Sequence, residues 1–180
     1  MFIKRYLSIK GFKILTVRTI IFIDHANLFF SIEDLNLRID YRKLKQILAK
    51  NDYLVGAFIY MGIPDIVYPK KRRFLNYLTA QGYVIQSRPI TTRPDGKKVQ
   101  KQLDICIYRD IVELAIEDVF DRAVLVSGDS DFIEIVRKLK QLQKDIEVWG
   151  FLSSMSKKLI EEVSAENVHY INEILPEIAC

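Results

Sequence analysis

Short unbroken apolar runs alternate along the chain with longer segments in which apolar residues recur at helical spacing, and this alternation defines the elements. Thr19-Ile20-Ile21-Phe22-Ile23 is apolar after its first residue and mostly β-branched, the pattern of a strand buried on both faces of a parallel sheet. It ends on Asp24. A short helix-like piece follows His25-Ala26-Asn27. Asp40 then stands as an N-cap for residues 41–48, where Leu44, Ile47 and Leu48 keep helical spacing. A second strand, roughly Tyr53 to Tyr60, is broken by Met61-Gly62-Ile63-Pro64. Pro69 opens a helix with Phe74, Leu75 and Leu78 on its apolar side, and Gly82 closes it before the strand Tyr83-Val84-Ile85-Gln86. Ser87 to Gln102 reads as one long irregular stretch, of the kind that carries function or moves. Helical spacing returns with Leu103, Cys106, Ile107, Ile111 and Leu114. A strand Ala123–Val126, a helix from Phe132 to about Leu142 and a strand Asp145–Trp149 come next, then a helix over residues 156–163 and a short sixth strand over 167–171.

Strand and helix in regular alternation predict an α/β fold: a three-layer, Rossmann-like arrangement with a mostly parallel central sheet of about five or six strands and helices on both faces. Ligands of such sheets bind beyond the carboxyl ends of the strands. In the common doubly wound order the first and fourth strands are neighbours, which puts Asp24 beside the turn Ser127-Gly128-Asp129-Ser130-Asp131-Phe132.

Composition narrows the class. With 180 residues, 49% of them apolar and only 7 Gly and 5 Pro, the chain suits one globular domain and falls outside the disordered and repeat classes. Residues 1–17 read as a basic N-terminal extension, with an organellar transit segment as the alternative, and 18–180 as the domain proper. The extension lacks the long apolar centre of a secretory signal. No apolar run approaches the roughly 20 residues of a membrane span, so no membrane partner is expected. Two cysteines, Cys106 and Cys180, without zinc-site spacing, fit reduced thiols and a cytoplasmic setting.

Two acids at a strand-to-helix turn admit two explanations. Asp129 can favour the turn while Asp131 caps the helix, with Glu134 as its capping-box partner. Alternatively the two carboxylates hold a divalent cation, since crowded carboxylates need a cation or a shared proton. Two further acids bear on the choice. At 100° per residue Asp104 lies at the edge of its helix's apolar stripe, in the first turn, and Asp110 lies inside it. Three or four carboxylates around one pocket, in a chain of net charge +4, suit Mg²⁺ or Mn²⁺ acting on phosphate esters. The basic residues Lys70, Lys71, Arg72 and Arg73, and Arg93, Lys97, Lys98 and Lys101 in the irregular stretch, would hold backbone phosphates; a solvated face is the plainer reading of each run. GxGxxG and P-loop motifs are absent, Ala26 replaces the second Asp of a haloacid-dehalogenase pattern, and a receiver domain would need a lysine near Trp149-Gly150-Phe151.

Phe22-Ile23-Asp24-His25-Ala26-Asn27, Lys101-Gln102-Leu103-Asp104 with Asp110 six residues on, and Ser127 to Phe132 together resemble the successive signatures of the NYN domain, in the PIN-like nuclease superfamily. The resemblance implies a PIN-like fold and metal-dependent cleavage of RNA. Asp24, Asp104, Asp129 and Asp131 would be the catalytic, metal-binding acids, with Asn27 and Ser127 in support and Asp110 structural or one layer removed. Gln102 stands where the family usually has glycine. The expected function is thus a Mg²⁺- or Mn²⁺-dependent ribonuclease, with a catalytically silent RNA-binding or scaffold module and a small phosphomonoesterase as alternatives. RNA is the expected partner, and a homodimer is left open.

Overall fold

A computed structural model describes residues 6–9, 12–92, 98–100 and 102–180, and for residues 6–15 and 91–100 the backbone alone. Strands β1 (Tyr6–Ile9) and β2 (Phe12–Leu15) form an antiparallel hairpin with its own two-stranded sheet, so the N-terminal extension contains regular structure. From residue 18 the order is β3 (Arg18–Asp24), α1 (His25–Asp34), α2 (Tyr41–Ala49), β4 (Tyr53–Ile63), α3 (Pro69–Ala80), β5 (Val84–Thr92), β6 (Lys98–Gln100) and α4 (Leu103–Ile116). There follow β7 (Arg122–Val126), α5 (Ile133–Gln141), β8 (Asp145–Gly150), α6 (Lys157–Glu162), β9 (Val168–Tyr170) and α7 (Ile171–Ile178). The main sheet runs β6-β5-β4-β3-β7-β8-β9, parallel throughout except for the antiparallel β5–β6 edge.

Strand alternation divides the core. Ile20 and Phe22 of β3 and Ala123 and Leu125 of β7 face the layer of α4, α5 and α6, while Ile21, Ile23, Val124 and Val126 face α1, α2, α3 and α7. Both faces of β3 are therefore covered, which accounts for its unbroken apolar run. Continued by one residue, the alternation turns Asp24 and Ser127 toward the α4 side.

Two stretches depart from the sequence expectation. The second strand continues through Met61 and Gly62 to Ile63, because these residues stay in register with Ser87, Arg88 and Pro89 of β5, and Pro64 ends it. Ser87 to Gln102 is not one irregular stretch: β5 reaches Thr92 and β6 folds back on it, pairing Ile90, Thr91 and Thr92 with Gln100, Val99 and Lys98. A proline cannot donate to a ladder, but among the described residues β6 pairs only with residues 90–92, so the ladder described on that side of β5 does not call on Pro89.

At the amino ends of the strands the charges are paired. Arg18 binds Asp121 at 2.7 Å and Asp118 at 3.1 Å, Arg122 binds Asp52 at 2.9 Å, and buried Glu147 takes Lys50 at 2.8 Å and Arg122 at 3.4 Å. Arg18 holds the Asp121 carboxyl below the usual range against the burial that opposes it. The opposite end of the sheet differs.

Candidate functional site

Asp24 sits where β3 gives way to α1. One carboxylate oxygen accepts the Ala26 and Asn27 amides at 3.1 and 3.4 Å, capping the helix; the other accepts the Ser127 hydroxyl at 3.1 Å. The residue is 8% exposed. Burial pushes its carboxyl up to about 6; the hydrogen bonds from Asn27 and Ser127 pull it down, and the charge of Asp104 adds to the rise.

The turn after β7 is held from several directions. Ser127 Oγ accepts the Asp129 amide at 3.2 Å, and the Gly128 amide donates to Asn27 Oδ1 at 3.1 Å. The same Asn27 oxygen takes the Ser154 hydroxyl at 3.3 Å. Asn27 thus ties α1 to the β7 turn and to the loop after β8. Ser154 was not legible as part of the site, because its hydrogen bond to Asn27 spans 127 positions of sequence.

The capping expectation needs correction. Asp129, not Asp131, is the cap: its Oδ1 accepts the Asp131 amide at 3.0 Å and starts a 3-10 turn over Ser130–Phe132, after which α5 begins at Ile133. Glu134 does not complete a capping box but pairs with Arg137 at 2.8 Å. The intervening turn shifts the helix start by a few residues, which leaves Asp131 exposed and free of a capping role.

Asp104 occupies the first turn of α4, which begins at the same end of the sheet. Partial burial raises its carboxyl, and the charges of Asp129 and Asp131 raise it further. The preceding Gln102 has φ 71° and ψ 16°, the left-handed region in which a side chain is strained and glycine is not. This is the position where the family pattern favours glycine. Asp110 lies apart from the other acids: it accepts the Tyr60 hydroxyl at 2.9 Å and Arg109 at 2.6 Å, bracing α4 against β4. Burial, then the Asp110 charge, pushes the Tyr60 phenol up.

Asp24, Asp104, Asp129 and Asp131 therefore converge on one end of the sheet. Among the described residues none of the four forms an ion pair with Lys, Arg or His, in contrast to the acids at the opposite end. Their hard oxygen donors and the charge repulsion written into Asp24 and Asp104 fit a divalent cation such as Mg²⁺ or Mn²⁺. Among the described residues, no three or more His, Cys, Asp or Glu side chains lie close enough together to form a metal-holding group of their own. Mg²⁺ seldom uses one. It commonly binds through one or two carboxylates, retained waters and substrate phosphate.

The basic residues divide. Lys70, Lys71, Arg72 and Arg73 fill the first turn and a half of α3, after Pro69 at its first position and with no side-chain cap. None of them forms an ion pair among the described residues. Four cations at the positive end of a helix dipole repel it and one another, so an anion there is stabilising. Arg93, Lys97 and Lys101 lie outside the described residues, and only the backbone of Lys98, in β6, lies within them. Arg88, which the sequence did not assign to the site, lines a cleft of about 220 Å³ with Gln86, Ser87, Leu103, Cys106 and Arg109, and donates to Cys106 Sγ at 3.2 Å. No helix among the described residues is long and apolar enough to cross a membrane.

Comparison with known proteins agrees with this architecture. The low amplitude and bright protein LabA of Synechococcus elongatus is 29% identical over 139 residues, covering 73% of this chain and 72% of that protein. A Vibrio parahaemolyticus crystal structure, of a protein of unknown function, superposes with a TM-score of 0.76 at 26% identity, covering 92% of this chain and 97% of that one. The three-layer α/β fold is thus PIN-like. The family model for the NYN domain matches residues 18–171, a span that contains β3 through the start of α7 and all four converging aspartates, and the chain belongs to the NYN domain family.

Proposed function

We propose that this protein is a divalent-cation-dependent ribonuclease that hydrolyses phosphodiester bonds at the carboxyl end of its sheet. The observation that carries the reading is the convergence of Asp24, Asp104, Asp129 and Asp131 without a compensating cation among the described residues, with Asp24 raised by burial and Asp104 raised further by its acidic neighbours. Membership of a family whose members are generally nucleases of PIN-like fold supports it. When bound, Mg²⁺ or Mn²⁺ would polarise the phosphoryl oxygens and lower the pKa of a water. One or two of the four aspartates would hold the cation together with substrate phosphate, Ser127 and the Ala26 and Asn27 amides would fix Asp24, and Asn27 would fix the turn that carries Asp129. The cations of α3, which form no ion pair among the described residues, would hold backbone phosphates of the RNA, a contact independent of sequence and sensitive to salt. The free thiols of Cys106 and Cys180 accord with a cytoplasmic setting.

A second reading has its own support. With no three acids close enough together to form a metal-holding group among the described residues, the domain could bind RNA without turnover. The purified protein is therefore incubated with end-labelled RNA in Mn²⁺, Mg²⁺ or chelator, beside Asp129→Asn. Cleavage that needs the cation and is lost in the variant is expected. Binding without cleavage selects the silent module, and cleavage that survives Asp129→Asn removes this site from the reaction.

Asp24 makes the role of the cation visible without any substrate. Its carboxyl has an ordinary value of 3.8 and lies at about 6 in the fold, so the folded protein holds this proton more tightly than the unfolded chain. The associated stability is fully present below the ordinary value and is lost as pH rises through about 6, by up to about 3 kcal/mol. A cation replaces the proton. Mn²⁺ should therefore raise the melting temperature more at about pH 8 than at about pH 5. Equal shifts at both would detach the cation from Asp24.

A further inference from the structure

Beside the acidic end of the sheet lies a continuous run of rings that leads from the site to the basic helix. His25, the residue after Asp24, stacks on Phe29 at 5.5 Å and 15° and packs against Phe74 of α3 at 5.7 Å. Phe29 meets Phe30 edge-on at 5.9 Å, and Lys71 Nζ lies 5.4 Å from the centre of the Phe74 ring. His25 is 7% exposed and its Nε2 has no hydrogen-bond partner, while Phe29 and Phe30 are 42% and 60% exposed. Two adjacent phenylalanines in water on a ten-residue helix are not needed for the core, which α1 reaches through Leu28 and Ile32.

We propose that Phe29 and Phe30 form a base-stacking shelf that receives unpaired nucleobases of the RNA strand held at the acidic site, while Lys70, Arg72 and Arg73 take its phosphates. The proposal rests on the ribonuclease reading above. Aromatic faces beside unpaired cations are the combination that single-stranded nucleic acid requires: every base has a face to stack, and the backbone supplies the negative charge. A protein partner with an apolar docking segment would use the rings but has no general need of four cations. The shelf and the acidic site share the carboxyl end of β3, since His25, on which Phe29 stacks, directly follows Asp24. Unpaired bases are needed for stacking, so a duplex cannot use the shelf.

The test measures affinity by fluorescence anisotropy in chelator, with a labelled oligouridylate and a labelled RNA duplex of equal length. The full chain is compared with Phe29→Ala/Phe30→Ala, with Phe29→Leu/Phe30→Leu and with Arg72→Glu/Arg73→Glu. Both phenylalanine variants should bind the single strand roughly 10- to 100-fold more weakly and the duplex unchanged. The leucine pair keeps apolar area for folding, and thermal melting checks it. The arginine variant should weaken both RNAs and flatten the salt dependence. Unchanged single-strand affinity in the leucine pair, with RNA cleavage intact in the unaltered protein, overturns the shelf and leaves the ribonuclease reading standing. Absence of both binding and cleavage in the unaltered protein overturns both. Light scattering that shows the leucine pair converting an oligomer to a monomer, with RNA affinity unchanged, assigns the rings to self-association and overturns the shelf.

Discussion

Asp24→Asn is expected to abolish cation-dependent RNA cleavage and, in the same protein, to raise the melting temperature of the cation-free form at about pH 8. The two effects share one cause. Asp24 is buried at the end of a strand covered on both faces, and burial pushes its carboxyl up to about 6 with Asp104 adding to the rise. Above that pH the fold carries a charge that nothing among the described residues neutralises. Asparagine keeps the geometry: its carbonyl can accept the Ala26 and Asn27 amides, and its amide can donate to Ser127 Oγ. Removing the charge should stabilise by about 2–3 kcal/mol, a rise of roughly 4–10 °C for a domain of this size. Losing a ligand that stabilises transition-state charge by several kcal/mol should lower the rate by about three orders of magnitude. Scanning fluorimetry across pH, beside a cleavage assay, reads both. The stability gain should close as pH falls below about 4, where aspartic acid is neutral in either state. A variant that is less stable at every pH would mean the carboxylate is compensated after all.

The second large effect comes from a glycine that carries no charge. Gly128→Ala would place a methyl 2.2 Å from the Ser154 carbonyl oxygen, 2.6 Å from its carbon and 2.8 Å from Met155 Cα. All three atoms are backbone, so no rotamer change relieves them. Neither side can retreat cheaply. The Gly128 amide is tied to Asn27, its carbonyl accepts the Ser156 amide at 2.8 Å, and the Met155 amide is tied to Phe151 at 2.9 Å. Overpacking of this kind should cost about 2–4 kcal/mol and lower the melting temperature by roughly 5–15 °C. Cleavage should fall further than stability alone explains, because the turn that moves carries Asp129. Gly56→Ala is the control: there the methyl meets only the Phe58 ring, at 3.2 Å, and that side chain can shift. Equal melting for Gly128→Ala and the unaltered protein would mean that the loop after β8 yields without cost.

Much of this protein is written locally in its sequence. The run Ile20–Ile23 specifies a strand buried on both faces, because period-two alternation with every position apolar leaves no solvent side. Asp40 and Gly82 mark helix ends through local rules: Asp40 accepts the Arg42 and Lys43 amides, and Gly82 takes φ 78° after α3. The order of strands places the end of β3, which carries Asp24, next to the turn after β7, as the common doubly wound order of such sheets implies.

Other features were decided only by tertiary structure. Asp129 displaces Asp131 as the cap, because the 3-10 turn that precedes α5 is set by packing of Phe132 into the core and not by the nearby sequence. β5 continues past Pro89 because pairing with β4 extends to Pro89 and β6 then pairs with residues 90–92. Asn27 meets Ser154, and Gly128 meets the Ser154 carbonyl, only once the loop after β8 folds over the β7 turn. The same holds for the acids themselves. Sequence determined that they are present, in what order, and at the ends of which elements. Whether each is compensated depends on which side chains approach through space, and only the folded chain leaves Asp24 and Asp104 without an ion pair among the described residues while pairing the acids at the far end of the sheet.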